Sequence, residues 1–100
     1  MSVSLSASQK RYLRGLAHDL KPVILMGAKG LGESLLAELD LALEHHELVK
    51  VKLAADDRDA RDALVAELAE RSRSALIQRI GNVAVLYRAS ADKPQIALPR

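Results

Sequence analysis

The chain has 100 residues, no cysteine and a formal net charge of +2 at pH 7. This length predicts one domain, residues 1–100, whose core is built from apolar side chains alone, since no disulfide or thiolate zinc site is available. No apolar run approaches the roughly 18 residues of a membrane span, and the N-terminus shows no secretory signal pattern. We therefore expect a cytoplasmic protein that does not contact membranes.

Charge is unevenly distributed along the chain. Residues 1–30 contain five Lys or Arg and one Asp, whereas residues 31–47 contain five acidic residues and no Lys or Arg. Such a chain can place a basic face opposite an acidic one, and the local field steers a charged partner. The sequence is therefore compatible with an anionic partner, which the net charge alone would not indicate.

The first part of the sequence predicts a helix and a short strand. Ser6 and Gln9 have the spacing of a capping box, and the apolar residues after them recur at helical period as far as Ala17 or His18. Residues 22–26 then form a wholly apolar run of the kind expected for a buried strand. A loop that contains several glycines follows this strand directly.

A second helix and a second strand come after the loop. Apolar residues recur at helical period from Leu31 to Leu43, and this helix is predicted to end near His45 or His46. Residues 48–53 alternate between apolar and basic side chains. That alternation predicts a strand with one face in water.

A third helix and a β-hairpin complete the predicted elements. Asp56 or Asp57 is the expected N-cap of the helix. Two further strands flank Gly81 and Asn82, a pair that suits a tight two-residue turn. The order αβαβαββ predicts an α/β domain in which helices pack on a sheet whose last two strands are antiparallel.

A glycine loop formed by Gly27, Ala28, Lys29 and Gly30 is the first candidate binding element. Its spacing matches neither the Walker phosphate loop nor the dinucleotide fingerprint. A GxxG loop lets a nucleic-acid backbone approach the peptide closely, as in KH domains. The helix N-terminus after it favours phosphate, and Lys29 adds a positive charge. Taken alone, the four residues fit a tight turn without a ligand equally well.

Two further basic elements strengthen an RNA-binding interpretation. In helix one, basic residues lie three or four positions apart, on a side of the helix away from its apolar stripe. In strand two, basic residues occupy the exposed face. An ordinary solvated surface is the alternative interpretation of each element. The residues are Lys10, Arg11, Arg14 and His18 in the helix, and Lys50 and Lys52 in the strand.

Neither catalysis nor metal binding is indicated by the titratable residues. The cluster His45, His46 and Glu47 lacks metal-ligand spacing, because adjacent helical side chains point about 100° apart and no HExxH motif is present. No nucleophile with a matching base can be assembled. We expect a protein that is not an enzyme and that uses no cofactor.

Aromatic residues are scarce, which restricts the kind of RNA that could be bound. Tyr12 and Tyr87 are the only aromatic residues, so the stacking platform of RRM and OB folds is missing. Recognition should then depend on backbone phosphates and shape, with strong salt dependence. Structured RNA is the expected partner.

Several stretches of the sequence together resemble the bacterial YhbY proteins, the stand-alone form of the CRM domain (chloroplast RNA splicing and ribosome maturation). The resemblance runs from about Ser6 to Arg100. The stretches that carry it are residues 15–22, 27–31, 43–52, 80–88 and 98–100.

This resemblance implies a fold, a partner and a set of site residues. The fold would be a single compact domain with a four-stranded mixed sheet, similar to the C-terminal domain of bacterial translation initiation factor three. The partner would be 23S-type rRNA in precursors of the large ribosomal subunit, bound by a monomer with no small-molecule substrate. The RNA-binding residues would be the loop Gly27, Ala28, Lys29 and Gly30, with Lys10, Arg11, Arg14, His18, Lys21, Lys50 and Lys52.

A second hypothesis makes the protein an interaction adaptor in ribosome assembly. The exposed residues predicted for helix two are uniformly acidic and could recruit a basic protein. They are Glu33, Glu38, Asp40 and Glu44. The tail, about residues 89–100, is expected to be loosely ordered, although its residues 95–98 could dock as an extended segment.

Overall fold

The structure is a computed structural model that describes residues 5–26, 32–53, 57–90 and 96. Within these ranges, three helices and four strands follow one another in the predicted order αβαβαββ. The helices are α1 (Ala7–Ala17), α2 (Glu33–His46) and α3 (Arg58–Ser72), and the strands are β1 (Ile24–Leu25), β2 (Leu48–Lys52), β3 (Ala75–Ile80) and β4 (Val83–Tyr87). The predicted α/β class is confirmed.

The four strands form one mixed sheet in the order β1-β2-β4-β3. β1 runs parallel to β2, whereas β4 is antiparallel to both of its neighbours, β2 and β3. The hairpin between β3 and β4 turns at Gly81, whose φ of 59° lies in the left-handed region that glycine adopts without strain. The predicted four-stranded mixed sheet and its closing hairpin are therefore confirmed.

Helices cover the two faces of the sheet unequally. α2 and α3 pack on one face, where the main core contains Leu39, Leu43, Val51, Leu68 and other apolar side chains. Of the described helices, α1 alone packs on the other face, over a smaller core. That core comprises Leu13, Ala17, Leu48, Ala75, Ile77, Val85 and Tyr87. Because α1 has only 11 residues, it leaves part of this second face open.

The helix ends observed in the structure agree with those predicted from the sequence wherever the residues are described. Ser6 and Gln9 form the complete capping box at the start of α1. Asp57 is the N-cap of α3 and accepts the N–H of Ala60, while the alternative cap, Asp56, lies outside the described residues. α1 ends at Ala17 and α2 ends at His46, as the spacing of the apolar residues predicted.

The prediction that the apolar run 22–26 forms a buried strand is wrong in part. Ile24 and Met26 are buried against the main core, but Val23 is 53% exposed and Leu25 is 69% exposed. β1 is an edge strand, and α1 does not extend far enough to cover the side of the strand that faces away from α2 and α3. Ile24 and Leu25 lie opposite Val51 and Lys52 of β2. The flanking N–H groups, those of Val23 and Met26, also donate to carbonyls of β2.

The tail residue Ile96 docks on the domain. Its backbone N–H donates to Oε1 of Glu47 at 2.7 Å, and its side chain packs against the core under α1. The neighbouring tail residues, 91–95 and 97–100, lie outside the described residues. Within the described ranges, none of the helices is long and apolar enough to cross a bilayer.

Candidate nucleic-acid interface

Helix α1 presents a row of cations to solvent. Lys10, Arg11, Arg14 and His18 are all exposed, because the helix turns Leu13 and Ala17 toward the sheet instead. No ion pair joins any of the four to a described residue. The row was predicted from sequence, and the structure brings its members together on one surface.

A groove lies between this row and the open part of the sheet. Its volume is about 570 Å³. Arg11, Arg14 and His18 line one side, and Lys50 lines another together with apolar and amide side chains from the hairpin. The complete lining is Arg11, Arg14, Gly15, Ala17, His18, Pro22, Lys50, Gln78, Ile80, Val83 and Val85. It contains four basic side chains, counting His18, and no carboxylate, so its electrostatic potential favours an anion.

Lys50 and Lys52 differ in how free their charges are. Lys52 is exposed, as predicted. Lys50 is half-buried, and its Nζ donates to the backbone carbonyl of Leu20 at 2.8 Å. The backbone carbonyl of Lys50 also accepts the N–H of Val23 at 3.1 Å. Lys50 therefore fixes the connection between α1 and β1, in addition to lining the groove.

Lys21 is exposed and lines a second, smaller groove. Leu16, Leu20 and Val23 form much of its apolar wall, and Lys50 lies between the two grooves because it lines both. The basic surface thus continues from α1 across the end of β1. We call this surface the α1 face: the row on α1, Lys21, the groove of 570 Å³ and Lys52.

Two arginines on the opposite side of the sheet, Arg79 and Arg88, are paired with carboxylates. Arg79 Nε lies 2.7 Å from Oδ1 of Asp62 on α3. Arg88 Nη1 lies 2.6 Å from Oδ1 of Asp40, and its Nη2 lies 3.7 Å from Oε2 of Glu44. Two of the four acidic residues predicted to form a docking surface on α2 therefore contact an arginine of the same chain.

The glycine loop, Gly27, Ala28, Lys29 and Gly30, lies outside the described residues. The chain enters it from Met26, whose N–H donates to the carbonyl of Lys52 at 2.8 Å. Met26, the last described residue before the loop, therefore lies beside the end of β2.

Sequence reasoning missed the part of the groove supplied by the hairpin. Gln78, Ile80 and Val83 line it because β4 pairs with β2, which sets Val83 opposite Lys52 and Val85 opposite Lys50. One signal was available: Gln78 is the single uncharged polar residue within an otherwise apolar or basic strand. Its side chain makes no hydrogen bond to any described residue.

The histidine pair shows no sign of a metal centre in the described part of the chain. His45 and His46 are both exposed near the end of α2, and their rings lie 6.2 Å apart, tilted by 47°. The described residues contain no group of three or more His, Cys, Asp or Glu that could hold a metal ion. Glu47, the third member of the predicted cluster, is buried and accepts two backbone N–H groups.

The sequence is similar to one protein family and to several individual proteins. The family model for the CRS1/YhbY (CRM) domain matches residues 5–88. An RNA-binding protein of Haemophilus influenzae is 45% identical over 97 residues, covering 97% of each chain. A probable RNA-binding protein of Pseudomonas aeruginosa is 49% identical over 86 residues, which is 86% of this chain and 83% of that protein.

A solved structure matches the fold. The solution structure of a Staphylococcus aureus protein, described there as a hypothetical protein proposed to bind RNA, superposes with a TM-score of 0.83 at 40% sequence identity. The match covers 96% of this chain and all of the other. The similarity therefore extends over almost the whole chain, including α1 and the sheet that carry the groove.

Proposed function

The chain belongs to the CRS1/YhbY (CRM) domain family, and from this membership we propose that it is an RNA-binding protein that grips the RNA backbone with its α1 face. One observation carries the proposal. The cations of α1 form one exposed row with no carboxylate partner among the described residues, and the groove beside them is lined by four basic side chains, counting His18, and by no carboxylate.

Unpaired cations on one helix have a cost that an anionic partner removes. Like charges three or four residues apart destabilise a helix by about 0.2–0.5 kcal/mol per pair. Lys10 and Arg14 have this spacing, as do Arg11 and Arg14. Phosphates placed along the row offset the repulsion, and each neutralised phosphate releases counterions, which makes the affinity depend on salt.

The glycine loop extends this contact in our proposal. Gly27 and Gly30 permit close approach of a phosphate, and Lys29 and the amides at the start of α2 bind it. Lys21, which precedes β1, and Lys52, at the end of β2, extend the basic α1 face in this proposal. The hydrogen bond from Met26 to Lys52 supports this proposal, because it holds the residue before the loop beside the strand that carries Lys52.

The particular RNA is proposed from the family resemblance. We propose that the monomeric protein acts in the cytoplasm on structured 23S-type rRNA in precursors of the large subunit, as an assembly protein without catalytic activity. Relatives named as RNA-binding proteins in Haemophilus, Pseudomonas and Bacillus support the RNA part of this proposal.

Charge reversal with a matched control tests the proposal. Arg14→Glu and Lys29→Glu should each weaken binding to a fluorescein-labelled rRNA fragment, while Arg58→Glu should not, because Arg58 is an exposed arginine at the start of α3. In a sucrose gradient of a cell lysate, wild type should sediment with particles near the large subunit. Unchanged affinity in both loop and helix variants would refute the α1 face as the binding surface.

The adaptor hypothesis makes a different prediction in the same assays. Association with the particles would then resist nuclease treatment and respond to Glu38→Lys rather than to Arg14→Glu. The structure offers a smaller acidic surface than the sequence indicated, because Asp40 and Glu44 contact Arg88. We therefore rank RNA binding first.

A further inference from the structure

The groove beside α1 has features that a backbone-binding surface does not need. Its floor is apolar, formed by Ile80, Val83, Val85 and Pro22, and the amide of Gln78 lines it. A phosphate requires cations and N–H donors, not an apolar floor. Ile80 is 63% exposed, so an apolar side chain faces water at the edge of this groove.

Gly15 is a further feature that internal packing does not explain. It lies inside the exposed helix α1, where glycine costs roughly 0.5–1 kcal/mol relative to alanine. A Cβ built on Gly15 would meet no atom within 4 Å, so nothing in the fold requires glycine here. Because Gly15 lines the groove, the missing side chain leaves space there for a ligand.

We propose that this groove holds the base of one unpaired nucleotide projecting from a structured RNA. The inference rests on the proposed RNA-binding function and specifies the part of the RNA that is recognised. The base would lie on the aliphatic floor, and its own phosphate would contact Arg11 or Arg14 at the rim. A guanidinium plane can also stack on a base, which supplies the contact that aromatic residues provide in other RNA-binding folds.

Gln78 is the specificity-determining residue in this proposal. Its amide offers one acceptor and two donors, and it has no hydrogen bond to another described residue. Unpaired bases present adjacent donors and acceptors on their Watson–Crick edges, which side chains read in single-stranded RNA. The volume of about 570 Å³ lies within the range of small-molecule pockets.

The test compares one RNA hairpin in five forms. One form has a fully paired stem, and each of the others carries a single unpaired A, C, G or U in the stem. Anisotropy of a fluorescein label gives the dissociation constant of each form at one fixed salt concentration. For the wild type we expect at least one bulged form to bind about five- to tenfold more tightly than the paired form, as one added hydrogen bond with apolar contact would produce.

Variants separate the base subsite from the charged surface. Gln78→Met keeps the length of the side chain and removes the amide, so the differences among the four bases should disappear. Ile80→Ala should reduce the preference for bulged forms. Leu41→Ala is the matched control, because Leu41 is 65% exposed on α2, far from the groove in the fold, and it should change none of the five constants.

Gly15→Leu distinguishes loss of the subsite from loss of the fold. Leucine has a much higher helix propensity than glycine, so this variant should be more stable to heat, yet it should lose the preference for bulged forms because its side chain fills the groove. Equal binding of all five RNAs by the wild type, or an unchanged base pattern in Gln78→Met, would overturn the subsite and leave RNA binding standing. If the wild type binds none of the five, the proposed function fails with it.

A free nucleotide carries the same base and phosphate groups as an unpaired nucleotide of an RNA, so it is the alternative ligand for the groove. Adenosine and uridine monophosphates added at millimolar concentration should not displace the bulged hairpin, because they lack the flanking phosphates that the α1 face would contact. Displacement by a free monophosphate at micromolar concentration would overturn the assignment of the groove to RNA.

Discussion

Arg88 and Asp40 lie 48 residues apart in the sequence, and their side chains meet at 2.6 Å. Arg88 follows β4, and Asp40 is in the middle of α2. The same guanidinium also donates to the backbone carbonyl of Ser72 at 2.9 Å and to that of Asp40 at 3.1 Å. One side chain therefore joins the end of the sheet to α2 and to the last turn of α3.

Removing this guanidinium should destabilise the fold more than removing its carboxylate partner. Arg88 is 17% exposed and Asp40 is 63% exposed, so solvent weakens the ion pair itself. Arg88→Met should lower the free energy of unfolding by about 2 kcal/mol, mainly because two carbonyls lose their donor. Asp40→Asn should cost less than about 1 kcal/mol. Urea titration measures both, and equal losses would show that the ion pair dominates.

Glu47 should be essential for docking the tail. Its side chain is buried, and its two oxygens accept the N–H groups of Ser90 at 2.6 Å and Ile96 at 2.7 Å. Glu47→Gln leaves one oxygen and turns an NH₂ toward a backbone donor, which should cost about 2–3 kcal/mol. Amide exchange at Ser90 and Ile96 should accelerate, whereas the exposed control Glu38→Gln should change neither exchange rate.

Tyr87 should make the fold sensitive to alkaline pH. Burial raises the pKa of its phenol above the usual value of 10.0, and the nearby Glu47 carboxylate raises it further. Since the folded pKa is the higher one, this contribution to stability is complete below pH 10 and is lost as the pH rises through the folded pKa.

Thermal melts across this pH range test the assignment. Stability should decline above pH 10 in the wild type and in Tyr12→Phe, because Tyr12 is 42% exposed. In Tyr87→Phe the decline should be smaller. An equal decline in both variants would assign it to other groups.

Arg73 adopts a conformation that glycine would adopt at lower cost. It ends α3 with φ of 58° and ψ of 36°, in the left-handed region, and its exposed side chain forms no ion pair with a described residue. The following N–H, that of Ser74, donates back to the carbonyl of Ala69 at 2.9 Å. This is the geometry that commonly ends a helix at glycine.

Arg73→Gly should therefore stabilise the protein. The strain of a non-glycine residue here is about 1–2 kcal/mol, and the greater freedom of glycine in the unfolded chain offsets roughly half of it. We expect a net gain of about 0.5–1 kcal/mol in thermal or urea unfolding, and Arg73→Ala should bring no gain. A loss of stability in Arg73→Gly would mean that the arginine side chain itself contributes.

Local sequence signals were sufficient to predict the order of the helices and strands. They were insufficient to predict which elements lie next to one another in the fold. Ser6, Asp57 and the turn at Gly81 each mark an element boundary through a local hydrogen bond or a positive φ, so a single sequence reveals them. Which strands pair depends on contacts between distant residues. That is why the groove residues Gln78 and Ile80 were not predicted.

The exposure of β1 also depends on contacts between residues that are distant in the sequence, so it was not predicted. Val23 and Leu25 read as core residues because apolar side chains in a short run predict burial, yet the sheet face above them is not covered by α1. Glu47 was likewise interpreted as part of a polar cluster with His45 and His46. It is instead the buried residue at the end of α2, with a φ of 64°, which no pattern of neighbouring residues indicated.

The unpaired basic side chains of the α1 face imply that salt affects binding by this protein more strongly than it affects the stability of the fold. At 0.1 M ionic strength, charges are screened over about 10 Å, so the attraction between the α1 face and a polyanion declines as salt is added. The same screening relieves repulsion within α1, and the apolar cores do not depend on these charges. Rising ionic strength should thus release the partner while leaving the fold intact, and the protein can be recovered from its partner without being unfolded.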